Sequence, residues 1–566
     1  TAVFFPTERR FFSTAYHPFV MRRHPAALPY LFFTEMWERF GYYLMIGIFF
    51  LYMTDTQTGG LGFEREVAAD IYGTFIALVY VTPFIGGLLA DRMLGYRRSI
   101  LLGGTLMGVG YLLLAIPGNL TAFYASLLVM IVGNGFFKPN ISTLLGNLYN
   151  EPKYRALRDD GYNIFYMGIN IGALVCNFVA AYLRNTYGWS YAFAAAGVGM
   201  FIGVFTFLGG MRTMRHADER REANPAEAGV LTLLSSVLLP ALLTGFLAWH
   251  IPGNVLGSDS TDAFLFGSLP IVGFFLWILR KAAPKERPRI QALLSIYAVV
   301  IVFWAVFKQN GTALTTWAEF YTDRAIPTTL EKPARWLGMV QEVKHEVSMY
   351  PVYDEQFRTS KDPSTGQIRK AEGIHPYFLN ISPAERPPLG TSVPLISTEI
   401  FQSVNPFFVI VLTPFMVGFF GWLRRHRREP TTPAKIEWGL IISALSTLVT
   451  VAAVYACHNG TCKASAGWLI GTYAVITVGE LCLSPMGLSM VSKMAPARIA
   501  GLMMGGWQLA TSMGNKLSGV LATLWDRYDD KADFFWVNFA LLSLSAAALF
   551  AMLGWLNRLF RDQGLP

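Results

Sequence analysis

Three carboxylates and three cations stand inside otherwise apolar stretches of this 566-residue chain. Glu35, Glu38 and Arg39 share one turn of an apolar run and are followed by Tyr42 and Tyr43. Side chains three and four positions apart lie on one face of a helix, so the three heads form one cluster. Lys138 stands in Gly133-Asn134-Gly135-Phe136-Phe137-Lys138-Pro139-Asn140, Lys308 in Trp304-Ala305-Val306-Phe307-Lys308-Gln309-Asn310-Gly311, and Glu480 in Gly479-Glu480-Leu481-Cys482-Leu483-Ser484-Pro485. A charge at the middle of a bilayer costs about 2.5–3.5 kcal/mol on insertion scales, so such groups pair or line a wet space. The set is nominally neutral. One added proton, or one zwitterionic ligand, must disturb a pairing, and a ligand that pairs differently in two states shifts the balance between them. The competing reading is structural, with buried ion pairs fixing helix register. Lys516, late in its apolar run, is expected to snorkel to the external interface and is left out of the set.

The elements that carry these groups follow from composition. The chain is 53% apolar and only 15% charged, against about 25% charged in a soluble domain, and its mean hydropathy is +0.38. A helix crossing a hydrocarbon core of ~30 Å needs about 20 mostly apolar residues. Fourteen such stretches are read at 29–54, 66–90, 99–117, 120–148, 161–184, 190–211, 229–251, 262–280, 290–319, 398–423, 436–457, 466–494, 498–526 and 534–557. The loops at 91–98, 149–160, 212–221, 280–289 and 424–435 are rich in Lys and Arg, whereas 251–263 has neither. Basic loops stay cytoplasmic, so both termini are expected inside. The net charge of +9 is thus a topology signal, and no nucleic-acid-binding stripe is present. The chain is expected to be an integral membrane protein surrounded by lipid, and a monomer.

Residues 320–397 form a long polar external segment, read as a small folded insertion or a lid. Cys457 and Cys462 flank an external turn and are compatible with a disulfide or with two free thiols. Residues 1–28 have no long apolar core like that of a signal peptide. Met21-Arg22-Arg23 resembles a natural start, so 1–20 is read as an expression remnant or an alternative start. No HExxH, GxSxG or P-loop pattern appears, no metal-like spacing is found, and the eight histidines lie near segment ends or in loops. A non-enzyme without cofactor is expected, with the proton as coupling ion. Glu319 and Glu399 border the external segment and are expected to be solvated. The run 229–280 has no ionisable group at mid-depth and is expected to face lipid. Gly133 and Pro139 are spaced like Gly479 and Pro485, which sets Glu480 opposite Asn134 and Ser484 opposite Lys138 and suggests two related halves with a site between them.

Glu35-Met36-Trp37-Glu38-Arg39-Phe40-Gly41-Tyr42-Tyr43 resembles the first-helix signature of the proton-dependent oligopeptide transporter family, in the major facilitator superfamily. The resemblance extends through Gly86–Arg98, Phe136–Asn140, Phe165–Gly172, Gln402–Pro406 and Gly479–Leu481. It implies an all-α polytopic membrane protein of the major facilitator fold: a cytoplasmic segment 1–28, a six-helix bundle 29–211, a linker 212–289 with two extra helices, and a second six-helix bundle 290–566. It also implies proton-driven import of di- and tripeptides across a bacterial inner membrane. By resemblance, Glu480 would bind the peptide amino terminus with Asn170 and Asn405 assisting, and Lys138 would attract the carboxylate. Tyr42, Tyr43, Tyr80 and Trp507 would line side-chain pockets, and Ser484 sits opposite Lys138. Glu35, Glu38 and Arg39 would couple protonation to the cycle. Two positions depart from the family pattern: Ile46 replaces a cation and Lys308 replaces an acid. Lys308 is therefore expected to pair with Glu35 or Glu38. Carriage of nitrate or another small anion on the same fold, and a non-transporting peptide sensor, are the alternatives.

Overall fold

The computed structural model describes residues 24–218, 234–364, 367–496 and 499–562. Six helices form the first bundle: α1 (Leu28–Thr54), α2 (Arg65–Leu89), α3 (Tyr96–Leu114), α4 (Leu120–Leu148), α5 (Arg158–Tyr187) and α6 (Trp189–Gly210). A hairpin of α7 (Leu239–Trp249) and α8 (Asp259–Lys281) follows. The second bundle comprises α9 (Arg287–Phe307) with its continuation α10 (Ala313–Phe320), then α12 (Val404–Arg425), α13 (Thr432–Ala456), α14 (Ala466–Met494), α15 (Ala500–Thr523) and α16 (Lys531–Asp562). Helix occupies every one of the fourteen expected positions. The beginning of the seventh stretch and the segment 1–20 lie outside the described residues.

Ten of these segments are long and apolar enough to cross a membrane by composition alone. Helix α1 falls outside that set because Glu35, Glu38 and Arg39 stand in its middle. Their burial in the bundle explains how a span can carry them. Each bundle has its own apolar core, one built on α1–α6 and the other on α8–α9 and α13–α16. At the cytoplasmic face, Gly95 at φ +79° opens α3, and the Asp218 carboxylate accepts from the Tyr96 and Arg97 amides at 2.8 and 3.2 Å. These are the donors a helix start leaves free.

The span expected at 290–319 is broken. Residues Lys308–Gly311 form a 3-10 turn between α9 and α10. Backbone groups freed inside a membrane need partners, and here they find them. Gln402 and Thr315 both donate to Asn310 O at 2.8 Å, and the Gln309 side chain anchors the turn on Ser518 O of α15 at 2.9 Å.

The segment 320–397 is a folded insertion. It holds β1 (Thr322–Asp323), α11 (Thr328–Trp336), β2 (Val340–Lys344), β3 (Val347–Pro351), β4 (Lys370–Ile374) and β5 (Ser392–Ile396). Strand β2 pairs with β5 and β3 with β4, both antiparallel, while β1 pairs in parallel with β6 (Ala464–Ser465) of the second bundle. The insertion touches both bundles: Lys361 pairs with Glu64 at 2.7 Å, and Arg358 pairs with Asp529 at 2.5 Å. Beneath it lies a cavity of about 530 Å³ lined by Asp55, Arg65, Arg184, Glu319 and His375 among others. Contrary to expectation Glu399 is not solvated, while Glu319 is half-buried and lines that cavity. Glu399 is fully buried against Arg184 at 3.1 Å, and Glu319 accepts from Thr398 and faces Arg324 at 3.5 Å. Cys457 and Cys462 are both free thiols.

The hydrogen bonds and ion pairs that join the bundles cluster in their outer halves. On one side Asn177 donates to Ser403 at 3.0 Å and Asn185 to Ser397 at 2.6 Å. On the other, Ser512 donates to Ala77 O at 2.7 Å and Arg65 pairs with Asp526 at 2.8 Å. Toward the cytoplasm, by contrast, Tyr166 on α5 is 53% exposed, and Leu488, two turns beyond Glu480 on α14, is 41% exposed. The described contacts between the bundles thus tie them together on the outer side.

Candidate functional site

Helix α1 places its three ionisable groups against one another in the core of the first bundle. Glu35, Glu38 and Arg39 are 3%, 0% and 4% exposed. Arg39 Nε donates to Glu35 Oε1 at 3.0 Å and lies 2.5 Å from Glu38 Oε2. Glu35 Oε2, both Glu38 oxygens and Arg39 Nη2 lack hydrogen-bond partners. One guanidinium between two carboxylates leaves a surplus negative charge in a dry place, which a proton on one carboxyl would neutralise. Arg39 also reaches over the Tyr42 ring at 5.6 Å.

Lys138, on α4, extends over the Tyr80 ring of α2 at 4.0 Å. Its charge is felt by Glu35 and Glu38 on one side and by Tyr80 on the other. In the second bundle, Asn405 Nδ2 donates to Glu480 Oε2 at 3.0 Å and to Thr477 Oγ1 at 2.9 Å. This ties the start of α12 to the middle of α14. Tyr80, Lys138, Asn170, Lys308, Asn405, Glu480 and Ser484 are all half-buried, as expected of groups that border a space between the bundles. Tyr80 senses both Lys138 and Lys308, and Glu480 is within electrostatic reach of Lys308 and of Tyr43. Tyr80 and Tyr43 thus lie within electrostatic reach of charges from both bundles.

Lys308 pairs with neither Glu35 nor Glu38. Arg39 already occupies both carboxylates, and the 3-10 turn at Lys308–Gly311 puts the lysine on the side of Tyr80 and Glu480. Among the described residues it has no ion pair; its ammonium lies 5.6 Å from the Trp304 ring. Trp507 stands in the core of the second bundle at 4% exposure, edge-on to Tyr297 and against Gly487. It thus offers the central space little surface, as does Tyr42 at 7%. Asn170 spends its amide on Tyr166 O of its own helix at 2.9 Å. Ser484 Oγ is buried without a partner. The internal match holds in position but not in chemistry: Asn134, opposite Glu480, is 1% exposed and donates to Val79 O at 2.7 Å inside its own bundle.

Two groups escaped the sequence reading. Tyr166 carries a phenol within reach of Glu480; its place one turn before Asn170, on the same face, was the available signal. Lys516 was expected to snorkel, yet it is fully buried and pairs with Asp70 at 2.6 Å. Nothing in the local sequence of either residue reveals the other, 446 positions away.

A family model described as PTR2, POT family, matches residues 97–355 and 392–537; the unmatched gap falls inside the external insertion. The chain is 31% identical over 513 residues to a di-/tripeptide transporter of Lactococcus lactis subsp. cremoris, covering 88% of this chain and 89% of that protein. It is 30% identical over 522 residues to the uncharacterized transporter YclF of Bacillus subtilis (strain 168), with 90% of each covered. Its fold matches a crystal structure of peptide transporter POT in complex with sulfate at a TM-score of 0.70 and 28% identity, over 95% of this chain and 96% of that one. With two bundles of the major facilitator kind, a charged first helix and a matched model over most of its length, the chain belongs to the POT family.

Proposed function

We propose that this protein is a proton-coupled symporter of a bacterial inner membrane that imports di- and tripeptides by alternating access. One observation carries the reading. A fixed cation and a fixed anion stand half-buried at mid-helix on opposite bundles, Lys138 beside Tyr80 and Glu480 beside Asn405. A zwitterion laid between them is held by both bundles at once, so its binding favours the arrangement that brings them together. Tyr43, Tyr80 and Tyr166 supply aromatic walls that tolerate many side chains.

Coupling belongs to the α1 cluster. Protonating Glu38 or Glu35 leaves a neutral pair with Arg39, removes an attraction that holds Lys138 on that side, and frees the ammonium for the peptide carboxylate. Lys308 acts at the other pole. It shares the field of Glu480, and a peptide ammonium arriving at that carboxylate displaces the influence of the lysine. Glu480 would repel a small anion, which speaks against nitrate as cargo. The relatives named for di- and tripeptide transport support the same substrate class.

The test is uptake of a labelled dipeptide by purified protein in liposomes with acid outside. Wild type should concentrate the peptide, and nitrate should not compete. Glu38→Gln should lose gradient-driven uptake while keeping peptide exchange without a gradient. Binding of peptide with no movement under any gradient would convert the reading into that of a sensor, and loss of peptide competition with gain of nitrate competition would convert it into that of an anion carrier.

A further inference from the structure

The two seams between the bundles each hold an acid–base pair near the outer face with at least one fully buried member, and the pairs are related by the internal repeat. On one seam Asp70 of α2 meets Lys516 of α15, Oδ1 to Nζ 2.6 Å, with the lysine side chain 0% and the aspartate 22% exposed. On the other, Arg184 of α5 meets Glu399, on the turn that leads into α12, at 3.1 Å, with side chains 9% and 0% exposed. Helices α2 and α12 are the second of each half, and α5 and α15 the fifth. In both seams the acid comes from the second helix of a half or the turn leading into it, and the base from the fifth helix. A two-fold related repeat brings such positions together twice. Backbone contact at the first seam is close: a methyl on Gly73 would come within 2.8 Å of Gly519 Cα.

The first pair has a third contributor. Ser258 and Ser260, at the start of α8, donate to Asp70 Oδ1 at 2.9 Å and Oδ2 at 2.5 Å, while Lys516 also donates to Ser260 at 2.8 Å and to Thr74 at 2.7 Å. This loop is held in place by buried Asp262, whose carboxylate accepts from the Val255 and Leu256 amides at 2.6 and 2.8 Å. The hairpin does expose Leu242, Phe246 and Trp277 widely, as a lipid-facing element should. Its α8 end, however, is part of the seam, so the hairpin is more than a peripheral addition.

We propose that Asp70–Lys516 and Arg184–Glu399 are the outer gate of the transport cycle, and that the α7–α8 hairpin belongs to that gate through Ser258 and Ser260. The proposal rests on the alternating-access reading above and deepens it. When the outer mouth opens, both seams part and all four charges regain water. When it closes, each finds its partner and loses water. Removing one partner leaves a charge buried and unpaired only in the closed form, so each single neutral variant drives the mouth open. Removing both partners leaves nothing to hydrate.

Cys462 lies on an external turn of the second bundle and is exposed, while the other three cysteines are buried. A spin label there and a second at Gln57→Cys, exposed on the external loop after α1, report the width of the outer mouth in liposomes without peptide. Wild type should show mainly the short distance. Asp70→Asn and Lys516→Gln should each raise the long-to-short ratio at least about tenfold, and the double variant should fall back most of the way. Glu399→Gln should act like the first-seam variants, and Ser260→Ala should give a smaller rise in the same direction. Unchanged distances in the single variants, or effects that simply add in the double, would overturn the gate. If Asp70→Asn does not fold, Ser260→Ala and Glu399→Gln decide the matter alone. Distances are read without transport, so a gate that responds in a protein that moves no peptide would sink the substrate reading and leave the gate standing.

Discussion

Replacing Glu480 by Gln isolates the charge at the anionic pole from its shape. In the structure Oε2 accepts from Asn405 at 3.0 Å, and Asn405 is itself anchored on Thr477 at 2.9 Å. A glutamine keeps an oxygen for Asn405 and the packing of α12 on α14. The negative charge toward a peptide ammonium is lost. A hydrogen bond to a charged group contributes about 1.5–3 kcal/mol, which corresponds to roughly 10- to 150-fold in affinity at ~1.4 kcal/mol per tenfold. The assay is competition against labelled dipeptide exchange in liposomes, run with a free dipeptide and with its N-acetylated analogue. In wild type the free amine should bind far more tightly. In Glu480→Gln the free dipeptide should lose that factor while the acetylated one changes less than about threefold, since it carries no charge for the pole to hold. Equal losses for the two peptides would refute the assignment, because the substitution would then have damaged the site generally.

Other outcomes follow from the same geometry. Arg39→Met leaves two carboxylates buried without their counter-charge and should cost about 3–5 kcal/mol, read as a large fall in melting temperature. The same change on a Glu38→Gln background should cost clearly less. Helix α2 crosses α4 so closely at Gly86 that a methyl there would overlap the Gly135 carbonyl, so Gly86→Ala should destabilise by about 1–3 kcal/mol. Gly418→Ala, with open space around it, should melt like wild type. In the external insertion, burial pushes His375 down to about 4, with the nearby Glu319 opposing and Arg324 and Lys463 adding to the shift. Its Nδ1 accepts from the Tyr377 amide at 3.2 Å, which requires the neutral ring. Because the folded value lies below the free value of about 6.5, its contribution is complete above that pH and is lost as pH falls toward about 4. Melting temperature should drop over that window, and His375→Asn, which keeps an acceptor, should flatten the drop.

Number of spans, orientation and the central charges were all written in the sequence, because a bilayer punishes a stray charge in a helix of fixed length whatever surrounds it. Glu35, Glu38, Arg39, Lys138 and Glu480 could be picked out one at a time for that reason, and Glu35, Glu38 and Arg39 even as a cluster, since helical spacing alone brings them together. Partnership across the molecule was a different matter. Which carboxylate faces Lys308 depends on a 3-10 turn whose Asn310 carbonyl is held by distant Gln402, and whose Gln309 side chain reaches across to Ser518 O. The burial of Glu399 depends on Arg184 arriving from the other bundle. The removal of Lys516 from the interface depends on Asp70 and on two serines of an inserted hairpin. Desolvation is local and can be read residue by residue, whereas a Coulombic partner is chosen by how two bundles dock. Only the folded molecule holds that information.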